Sequence, residues 1–383
     1  MTSGAASDLL VIGGGLHGCA AAMFAAERGL RVTLLEKDSV GRHASGANAG
    51  GVRRLWRDLA EVPLANLSMQ MWHRMSQIVQ DDCGFQPVPG IKVAECDADI
   101  EVLAARVTRM QEAGHTHERL IDRAELRALV PAISEHCTGG LLSEDGFAMP
   151  AQTTAAFARR ARALGVTILE GEAVKAIEHS RGLWRVETQS GRHTGAKLLN
   201  CAGAWGGRIA ELLGETAPVE AIAPLMIVTQ RMRPFCSAVI GVARRQLSFK
   251  QMANGTVVIG GARLGRVDPA RNRTDIDFRE LRLTARTVQD IFPIMRGATV
   301  QRAWSGIEGR TPDRLPIIGR SSRHESAFHA FGFSAHGFQL GPATGALMAD
   351  LIDTGRLAPE LDPFDITRFS APTEAATQPR RLA

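Results

Sequence analysis

Three glycines near the start of the chain, Gly13, Gly15 and Gly18, form a G-x-G-x-x-G turn between an apolar strand and a small-residue helix. Gly13 permits the tight turn, Gly15 leaves room for a pyrophosphate against the backbone, and Gly18 lets the helix pack on the strand. A second apolar run, residues 31–35, delivers Glu36, which is placed to accept ribose hydroxyls. The helix N-terminus adds free N–H groups and a positive potential. This unit of strand, turn, helix, strand and acid predicts a dinucleotide site.

Three further segments combine small residues with polar groups that suit a bound cofactor. Segment 41–53 follows the acidic residue directly; its glycines let backbone lie against a flat ring system, and Arg42 and Ser45 can bind phosphate or ribityl oxygens. Segment 200–205 is a strand end made of small residues. Segment 332–342 puts a glycine turn before a helix, whose N-terminus can stabilise negative charge on a reduced ring. Each segment also has a plain structural interpretation: 41–53 as a flexible loop, 200–205 as an ordinary strand end and 332–342 as an ordinary capped helix.

Composition and charge argue against several classes of protein. The formal net charge of +5 over 383 residues is mild and the basic residues are dispersed, so we predict no nucleic-acid-binding face. Six cysteines form no C-x-x-C pair and no cluster with histidines, which argues against a metal or iron–sulfur site in this chain. Scattered thiols, a start without secretory features and no apolar run of membrane-spanning length together predict a cytoplasmic protein without a transmembrane segment.

Patterns typical of a nucleotide-binding α/β fold occur at the start, middle and end of the chain, with β-rich segments between them. We therefore predict two interleaved domains with a cleft between them. The cofactor domain is assigned to residues 1–80, 150–215 and 300–370, the substrate or cap domain to 81–149 and 216–299, and a flexible tail to 371–383. Apolar residues at helical spacing also predict a helical run over 97–130.

The order of these segments resembles that of the D-amino-acid-oxidase-like FAD oxidoreductases, a family that includes glycine oxidase, sarcosine oxidases and D-amino-acid dehydrogenases. The matching motifs are GxGxxG with Glu36, ASGANAGG, CAGAW, TPDRLPIIG and GFSAHGFQLGPATG, and they span nearly the whole chain. The resemblance implies an α/β fold, α+β overall, in which a doubly wound FAD-binding domain carries an interleaved antiparallel-sheet substrate domain over the flavin. It also implies FAD as the cofactor and a small amino or imino acid as the substrate.

Two sequence variants, NAGGVR and GIEG followed by TPD, look most like the β-subunits of heteromeric members: D-hydroxyproline dehydrogenase, opine oxidase and sarcosine oxidase. Those subunits work beside a larger flavoprotein subunit and a small iron–sulfur subunit. Since this chain has no iron–sulfur motif, such clusters would belong to the partners. Some of these complexes also hold FMN at a subunit interface, and Lys250 is our candidate contact for it.

Two positions depart from the pattern of the family. Glu308 stands where the resemblance to glycine oxidase would place a carboxylate-binding Arg, and Gln339 stands where sarcosine oxidase carries a Lys. We therefore name Arg53 and Arg310 as candidate carboxylate ligands, with a merely structural role as the alternative for each. Glu308 is predicted to attract a substrate ammonium or guanidinium, which fits an opine or an imino acid better than glycine.

Two histidines carry predictions of their own. His43 falls where dimethylglycine-type relatives carry a flavin-linking His; we expect a hydrogen-bonding or packing role here, with a covalent bond as the alternative. His336 is expected to take a proton if it lines the pocket, with a packed histidine as the alternative. The predicted catalytic residues are thus His336, Glu308, Arg310 and Arg53, and no metal ligand is predicted.

The predicted cofactor-binding residues belong to the segments above or to the strand region that contains Val174. They are Gly13, Gly15, Leu16, His17, Gly18, Glu36, Lys37, Arg42, His43, Ala44, Ser45, Ala49, Gly50, Gly51, Val174, Ala202, Gly203, Trp205, Gly332, Gly337, Phe338, Gln339 and Leu340. The predicted reaction is FAD-dependent oxidation of a C–N bond by hydride transfer to flavin N5, with a D-hydroxyproline-, opine- or sarcosine-like substrate. A stand-alone oxidase that uses oxygen and a non-catalytic flavin-binding subunit are the alternatives.

Overall fold

A computed structural model describes residues 6–261 and 263–369, so the predicted tail lies outside the described residues. The strands, in chain order, are β1 (Ser7–Ile12), β2 (Val32–Glu36), β3 (Gly51–Val52), β4 (Gln86–Ala94), β5 (Arg119–Asp122), β6 (Gly139–Phe147), β7 (Thr167–Glu170), β8 (Ala176–Ser180), β9 (Leu183–Glu187), β10 (Arg192–Asn200), β11 (Glu220–Ile222), β12 (Leu225–Thr229), β13 (Val239–Val242), β14 (Ser248–Gln251), β15 (Val257–Gly260), β16 (Arg266–Asp268), β17 (Arg273–Asp275), β18 (Val300–Ser305), β19 (Glu308–Arg310), β20 (Ile317–Arg320) and β21 (Ala327–Phe331).

The α-helices are α1 (Leu16–Glu27), α2 (Ala44–Ala47), α3 (Val62–Trp72), α4 (Met75–Val79), α5 (Asp97–Glu112), α6 (Arg123–Leu129), α7 (Pro150–Ala163), α8 (Gly206–Leu212), α9 (Phe278–Ile291) and α10 (Gly337–Thr354). Short 3-10 helices lie at Leu59–Glu61, Gly203–Trp205, Pro293–Gly297, Pro359–Phe364 and Ile366–Phe369.

A mainly parallel sheet forms the centre of the half that carries the glycine turn. Its strand order is β20-β21-β10-β1-β2-β7, and the hairpin β8–β9 extends from β10. β1 pairs in parallel with β10 on one side and with β2 on the other, so the direction of winding switches at β1. In sheets of this kind ligands bind at the carboxyl ends of the strands, beside the switch point. Gly13 follows β1 there, and β2 ends there at Glu36.

Helices and a hairpin cover the two faces of this sheet. Helices α1, α7 and α10 pack on one face through a core of small and aliphatic side chains, which includes Ala20, Ala156 and Leu340. The opposite face is covered by the hairpin β8–β9 and by α8, through Trp184 and Ile209. These layers fix α1 so that its N-terminus lies at the carboxyl end of β1.

A second sheet has the strand order β18-β12-β15-β14-β13-β4-β6-β3, with β5 added beside β6. Its pairs are antiparallel except β13 with β4, which run in parallel. Helix α9 packs against one face through Val288 and Ile291. The two sheets alternate along the chain, which confirms the predicted mixed α/β architecture. Strands β3 and β18 fall in segments predicted for the cofactor domain yet pair within the second sheet, and the domain boundaries stay a prediction.

The single helical run expected over 97–130 is wrong. Helix α5 ends at Glu112, Gly114 adopts φ +80°, and β5 pairs antiparallel with β6 before α6 begins. Glycine tolerates the left-handed conformation that ends the helix. Ile121 of β5 is buried in the core of the second sheet. Pairing with a strand that is distant in sequence, rather than the local helical periodicity, therefore determines the secondary structure of this segment.

Candidate active site

A large cavity extends from the carboxyl ends of β1, β2 and β10 to the second sheet, and its volume is about 1900 Å³. Pockets for one small ligand are typically about 300–1,000 Å³. The cavity therefore has room for a dinucleotide cofactor together with a small substrate.

The cavity brings together almost all of the residues predicted from the sequence. The predicted cofactor residues on its wall are Gly13, Gly15, Leu16, His17, Glu36, Lys37, Arg42, His43, Ala44, Ser45, Ala49, Gly50, Gly51, Val174, Ala202, Gly203, Trp205, Gly332, Gly337 and Phe338. The four predicted catalytic residues, Arg53, Glu308, Arg310 and His336, line the same cavity.

Three predicted cofactor residues lie behind the wall. Gly18 packs α1 against the glycine turn, since a Cβ there would lie 1.9 Å from the carbonyl oxygen of Gly13. Leu340 is fully buried in the helical core. Gln339 is also fully buried, and its Nε2 donates to the carbonyl oxygen of Ala65 at 2.8 Å. Gly18 has the packing position expected for it, and the side chains of Gln339 and Leu340 do not reach the cavity, so a cofactor contact of these two residues through the backbone of the helix N-terminus stays a prediction.

The turn after β1 is shaped for a ligand that approaches the backbone. Gly13 has φ +108°, and a Cβ on it would lie 2.4 Å from the carbonyl oxygen of Cys201. A Cβ on Gly15 would lie 2.9 Å from Oγ of Ser45, which accepts the amide hydrogen of Leu16 at 2.9 Å. The first turn of α1 carries no acidic side chain. This turn therefore fits a bound diphosphate, because it offers backbone amides and a positive helix end without obstructing side chains.

Glu36 is held at the cavity wall by two backbone amides. Its Oε2 accepts from the amide of Gly14 at 2.6 Å, and its Oε1 accepts from the amide of Asp38 at 2.8 Å. Burial raises the pKa of this carboxyl group, and the two amides oppose the shift. Carboxylate oxygens have further acceptor capacity, so Glu36 fits the predicted role of ribose acceptor.

Charged and aromatic groups close the cavity near β2. Nζ of Lys37 lies 3.6 Å from the ring centroid of Trp205 and donates to Oδ1 of Asn272 at 2.7 Å. Nε2 of His43 lies 3.1 Å from Oδ2 of Asp38, and its ring centroid lies 4.9 Å from that of Trp205. His43 thus has a hydrogen bond and an aromatic contact, as its expected role requires, and burial lowers its pKa.

His17 provides a buried nitrogen without a partner on the cavity wall. Its ring stacks on Phe333 with the centroids 3.6 Å apart, and burial lowers its pKa to about 3. Within residues 6–261 and 263–369, its Nε2 has no hydrogen-bond partner. Buried polar atoms are nearly always satisfied, so an unpaired nitrogen at this place fits a bound polar cofactor.

A buried charged cluster borders the cavity beside His336, and sequence analysis missed two of its members, Arg57 and Glu61. Nδ1 of His336 lies 2.8 Å from Oε2 of Glu61, which is fully buried. Arg57 is 2% exposed and donates to Oε1 of Gln339 at 3.1 Å. Its Nη1 lies 3.8 Å from Oε2 of Glu61 and has no hydrogen-bond partner among the described residues. The cluster therefore holds a cation with donor capacity left for a ligand.

The protonation states in this cluster follow from burial and from the neighbouring charges. Burial raises the pKa of Glu61, but His336, Arg57 and Arg53 outweigh it, so the pKa lies below its usual range. Burial lowers the pKa of Arg57 to about 10 and also lowers that of His336, while Glu61 opposes both shifts. At neutral pH Glu61 is ionised and His336 is neutral. An ionised carboxylate only accepts hydrogen bonds, so Nδ1 of His336 carries the proton and Nε2 can accept another.

The two predicted carboxylate ligands lie in different surroundings. Arg310 donates to Oε2 of Glu220 at 2.6 Å, so its guanidinium is already paired. Arg53 donates to the carbonyl oxygen of Leu55 at 3.1 Å, and burial lowers its pKa. Arg53 lies close enough to Glu61 to influence its charge, and therefore belongs to the buried cluster, which Arg310 does not join.

Glu308 supports a strained turn on the cavity wall. Its Oε1 accepts from the amide of Ala335 at 2.5 Å. Ser334 and Ala335 have φ values of +52° and +71°, which are uncommon for residues with a Cβ and often mark functional sites. Burial raises the pKa of Glu308 to about 7, so its negative charge develops near neutral pH.

Lys250, the candidate contact for an interfacial FMN, is 4% exposed, and its Nζ donates to the carbonyl oxygen of Ala49. Burial lowers its pKa to about 7. The prediction for Lys250 is wrong, because a side chain buried inside the chain does not meet a partner subunit.

The sequence profile of the DAO family, described as FAD dependent oxidoreductase, matches residues 8–351. The chain belongs to the DAO family. Among the relatives of this DAO-family protein, sarcosine oxidase subunit beta of Rhizobium meliloti is 27% identical over 371 residues, which cover 94% of this chain and 88% of that protein. Glycine oxidase of Geobacillus kaustophilus is 25% identical over 370 residues, which cover 94% and 97%. The crystal structure of L-proline dehydrogenase from P. horikoshii matches with a TM-score of 0.88 at 25% identity, covering 95% of this chain and 98% of that one.

Membership of the DAO family makes the chain an FAD-dependent oxidoreductase, which confirms the enzyme class and the cofactor expected from the sequence. The turn after β1, the fixed oxygens of Glu36 and the unpaired nitrogen of His17 all fit FAD. Individual contacts with FAD stay predictions. Among the helices of residues 6–261 and 263–369, none combines the length and the apolar character that crossing a membrane requires.

Proposed function

We propose that this chain oxidises the C–N bond of a small amino or imino acid of D-hydroxyproline, opine or sarcosine type, as the β-like subunit of a heteromeric dehydrogenase. The observation that carries the proposal is the buried cluster of Arg57, Glu61 and His336, of which Arg57 and His336 line the cavity that fits FAD. In this cluster, Arg57 offers a cation that can bind a substrate carboxylate, and His336 offers a neutral imidazole that can accept a proton. The names of the sarcosine, glycine and proline enzymes among its relatives support this substrate class.

Arg57 and Arg53 bind the carboxylate of the substrate and so orient its amine nitrogen and α-carbon. Nη1 of Arg57 has no hydrogen-bond partner in the part of the chain that the structure describes, which supports this role because a carboxylate would complete its hydrogen bonding. Water is displaced from both guanidinium groups when the substrate enters, which strengthens the ion pairs in the buried site.

His336 removes the proton of the substrate ammonium, because only a neutral amine readily gives up hydride from the adjacent carbon. The imidazolium that forms is stabilised by Glu61, 2.8 Å from Nδ1. When bound, FAD supplies the acceptor for that hydride. Glu308 attracts an ammonium or guanidinium of the substrate, and the attraction grows as its carboxyl group ionises near pH 7.

In a heteromeric complex, the electrons from the reduced flavin pass to partners of this chain. These partners are a larger flavoprotein subunit, a small iron–sulfur subunit and an FMN at the subunit interface. The R. meliloti relative is the beta subunit of a sarcosine oxidase, which supports this part of the proposal. We place the complex in the cytoplasm, since six free cysteines suit a reducing compartment.

Anaerobic reduction of the FAD-loaded protein tests the proposal. Loss of flavin absorbance at about 450 nm is followed after addition of D-amino acids, D-hydroxyproline, sarcosine or opines. We expect at least one of them to reduce the flavin, and slow reoxidation of the isolated chain by air. Rapid reoxidation by oxygen would favour a stand-alone oxidase. Failure of every amine, with and without co-purified partners, would favour a non-catalytic flavin-binding subunit.

A further inference from the structure

The cavity also reaches β4 and β13 of the second sheet, and we call the part of its wall formed by these strands and their neighbours the second lobe. Lys92 of β4 lines this lobe together with Gly90, two positions earlier on the same face of the strand. Its pairing partner on β13 is Gly241, which also lines the lobe. A Cβ at Gly241 would have only the carbonyl oxygen of Leu247, at 3.4 Å, within contact distance. Gly241 therefore leaves space beside Lys92, whereas the side chain of Asp145 fills the space over Gly90, where a Cβ would lie 2.3 Å from Oδ2 of Asp145.

The ammonium of Lys92 lies against an aromatic ring that is held in a strained conformation. Its Nζ is 4.3 Å from the ring centroid of Trp56. Trp56 has φ +61°, and its amide donates to Oε1 of Glu118 at 2.6 Å. Arg106, on the same ring, pairs with Oε2 of Glu118 at 2.8 Å. A bulky residue in the left-handed region on a cavity wall is typical of a functional site.

Basic side chains outnumber carboxyl groups among the cavity residues in this part of the wall. The basic side chains are Arg53, Lys92, Arg106, Arg109, Arg244 and Arg245, and the carboxyl group is Asp145. Three of the arginines are paired with carboxylates that do not line the cavity: Arg106 with Glu118, Arg244 with Asp99 and Arg245 with Glu95.

Lys92 differs from those arginines. Burial and then the charges of Arg53 and Arg106 lower the pKa of Lys92 to about 7, while the charge of Glu118 opposes the shift, and no hydrogen bond contributes from the residues that the structure describes. An ammonium that is partly desolvated among like charges is stabilised by an anionic ligand.

We propose that Lys92 binds a second carboxylate of the substrate, at the end away from the C–N bond that is oxidised. The proposal rests on the function proposed above: Arg57 and Arg53 take the first carboxylate beside His336, and Lys92 takes the distal one over Trp56. The substrate class is then an amino or imino acid with an additional carboxylate, such as an N-carboxyalkyl amino acid. Lys92 thereby determines specificity rather than the chemical step.

Binding of unreactive acids to the FAD-loaded protein tests this role without turnover. The probes are the dicarboxylates from malonate to adipate and the unbranched monocarboxylates of equal length, titrated against the flavin absorbance. We expect one or more dicarboxylates to bind about ten-fold more tightly than the matching monocarboxylate, as a charged hydrogen bond would give. Lys92→Arg should keep this preference, and Lys92→Met should reduce it to below about two-fold. Lys175→Met, at an exposed position outside the cavity, is the matched control.

Equal affinities for the two kinds of acid in the unaltered protein would overturn the proposal, as would a preference that survives in Lys92→Met. Sulfate is a separate probe: if it perturbs the flavin through Lys92 as strongly as any dicarboxylate, the lobe is a general anion site and the assignment fails. FAD content and thermal unfolding show whether each variant is folded. In the unaltered protein, absence of the dicarboxylate preference with intact reduction by amino acids contradicts only the Lys92 assignment, whereas a clear preference without any reduction by amino acids contradicts the proposed function.

Discussion

Glu61 and His336 meet across the chain: Nδ1 of His336 lies 2.8 Å from Oε2 of Glu61, although the two residues are 275 positions apart. Glu61 ends a 3-10 helix that precedes α3, and His336 directly precedes α10. The pair therefore connects the segment after the glycine-rich loop with the last helix of the cofactor half. It also fixes the tautomer of the imidazole that faces the cavity.

Replacement of this carboxylate tests its role as a positioning residue. Glu61→Gln should slow anaerobic reduction of the flavin about ten-fold, a size typical of groups that orient a functional histidine. It should also move the acidic limb of the rate profile to lower pH, because loss of the negative charge lowers the pKa of His336 further. Stopped-flow reduction across pH measures both effects. A merely structural role would slow the reaction without moving the limb, and Glu61→Asp should restore part of the rate.

Arg57 is predicted to bind the substrate carboxylate more strongly than Arg310 does. Arg57→Met should weaken the binding of monocarboxylates roughly ten- to a hundred-fold, because charged hydrogen bonds are lost in a buried site. Flavin difference spectra measure the dissociation constants, and Arg57→Lys should have a smaller effect. Arg159→Met, which alters an exposed arginine paired with Asp81, is the control. A larger effect of Arg310→Met than of Arg57→Met would reverse the assignment.

The glycine turn gives a prediction for cofactor affinity. Gly15→Ala should weaken FAD binding at least about ten-fold, since its Cβ would lie 2.9 Å from Oγ of Ser45 at the helix end that fits the diphosphate. Gly297→Ala is a matched control, because a Cβ there has no heavy atom within 4 Å. Titration of the apoprotein with FAD measures both variants. Equal affinity of Gly15→Ala and the unaltered chain would place the diphosphate elsewhere.

A buried carboxylate predicts how stability responds to acid. Burial raises the pKa of Glu215, but His329 and Ser321 outweigh it through hydrogen bonds of 2.8 and 2.6 Å, and the pKa falls from 4.5 to about 2. A carboxyl group whose pKa is lower in the folded than in the unfolded state stabilises the fold at pH values above its pKa in the unfolded state. That stabilisation is lost as the pH falls from 4.5 towards 2.

Denaturant unfolding between neutral and acidic pH measures this effect. The free energy of unfolding should decline below pH 4.5 in the unaltered protein. Glu215→Gln should be less stable at pH 7 by about 3 kcal/mol, because one partner of a buried network is removed, and its stability should depend less on pH. An equally steep decline in both proteins would assign the acid response to other groups.

The cofactor turn was predictable from sequence because its requirements are local. Gly13, Gly15 and Gly18 meet backbone constraints within one strand–turn–helix unit, and Glu36 ends the strand that pairs next to it. The substrate side was not predictable in this way. Arg57 and Glu61 read as ordinary charged residues before a helix, and only the approach of α10 shows that they are buried.

Distant pairing also explains the other differences between prediction and structure. Lys92 becomes part of a cavity wall only because β13 lies beside β4, more than a hundred positions further along the chain. Lys250 resembles a solvated lysine in sequence, yet Ala49 supplies its buried partner. Local patterns thus predicted how the chain is shaped for FAD, whereas packing between segments decided which charges face the substrate.

The flavin content of the purified native protein tests the central claim most directly. The protein, handled in the dark, is examined for visible absorbance and for FAD released on denaturation. We expect about one FAD per chain with an absorbance band at about 450 nm. A colourless chain that takes up no FAD when the cofactor is supplied would contradict it.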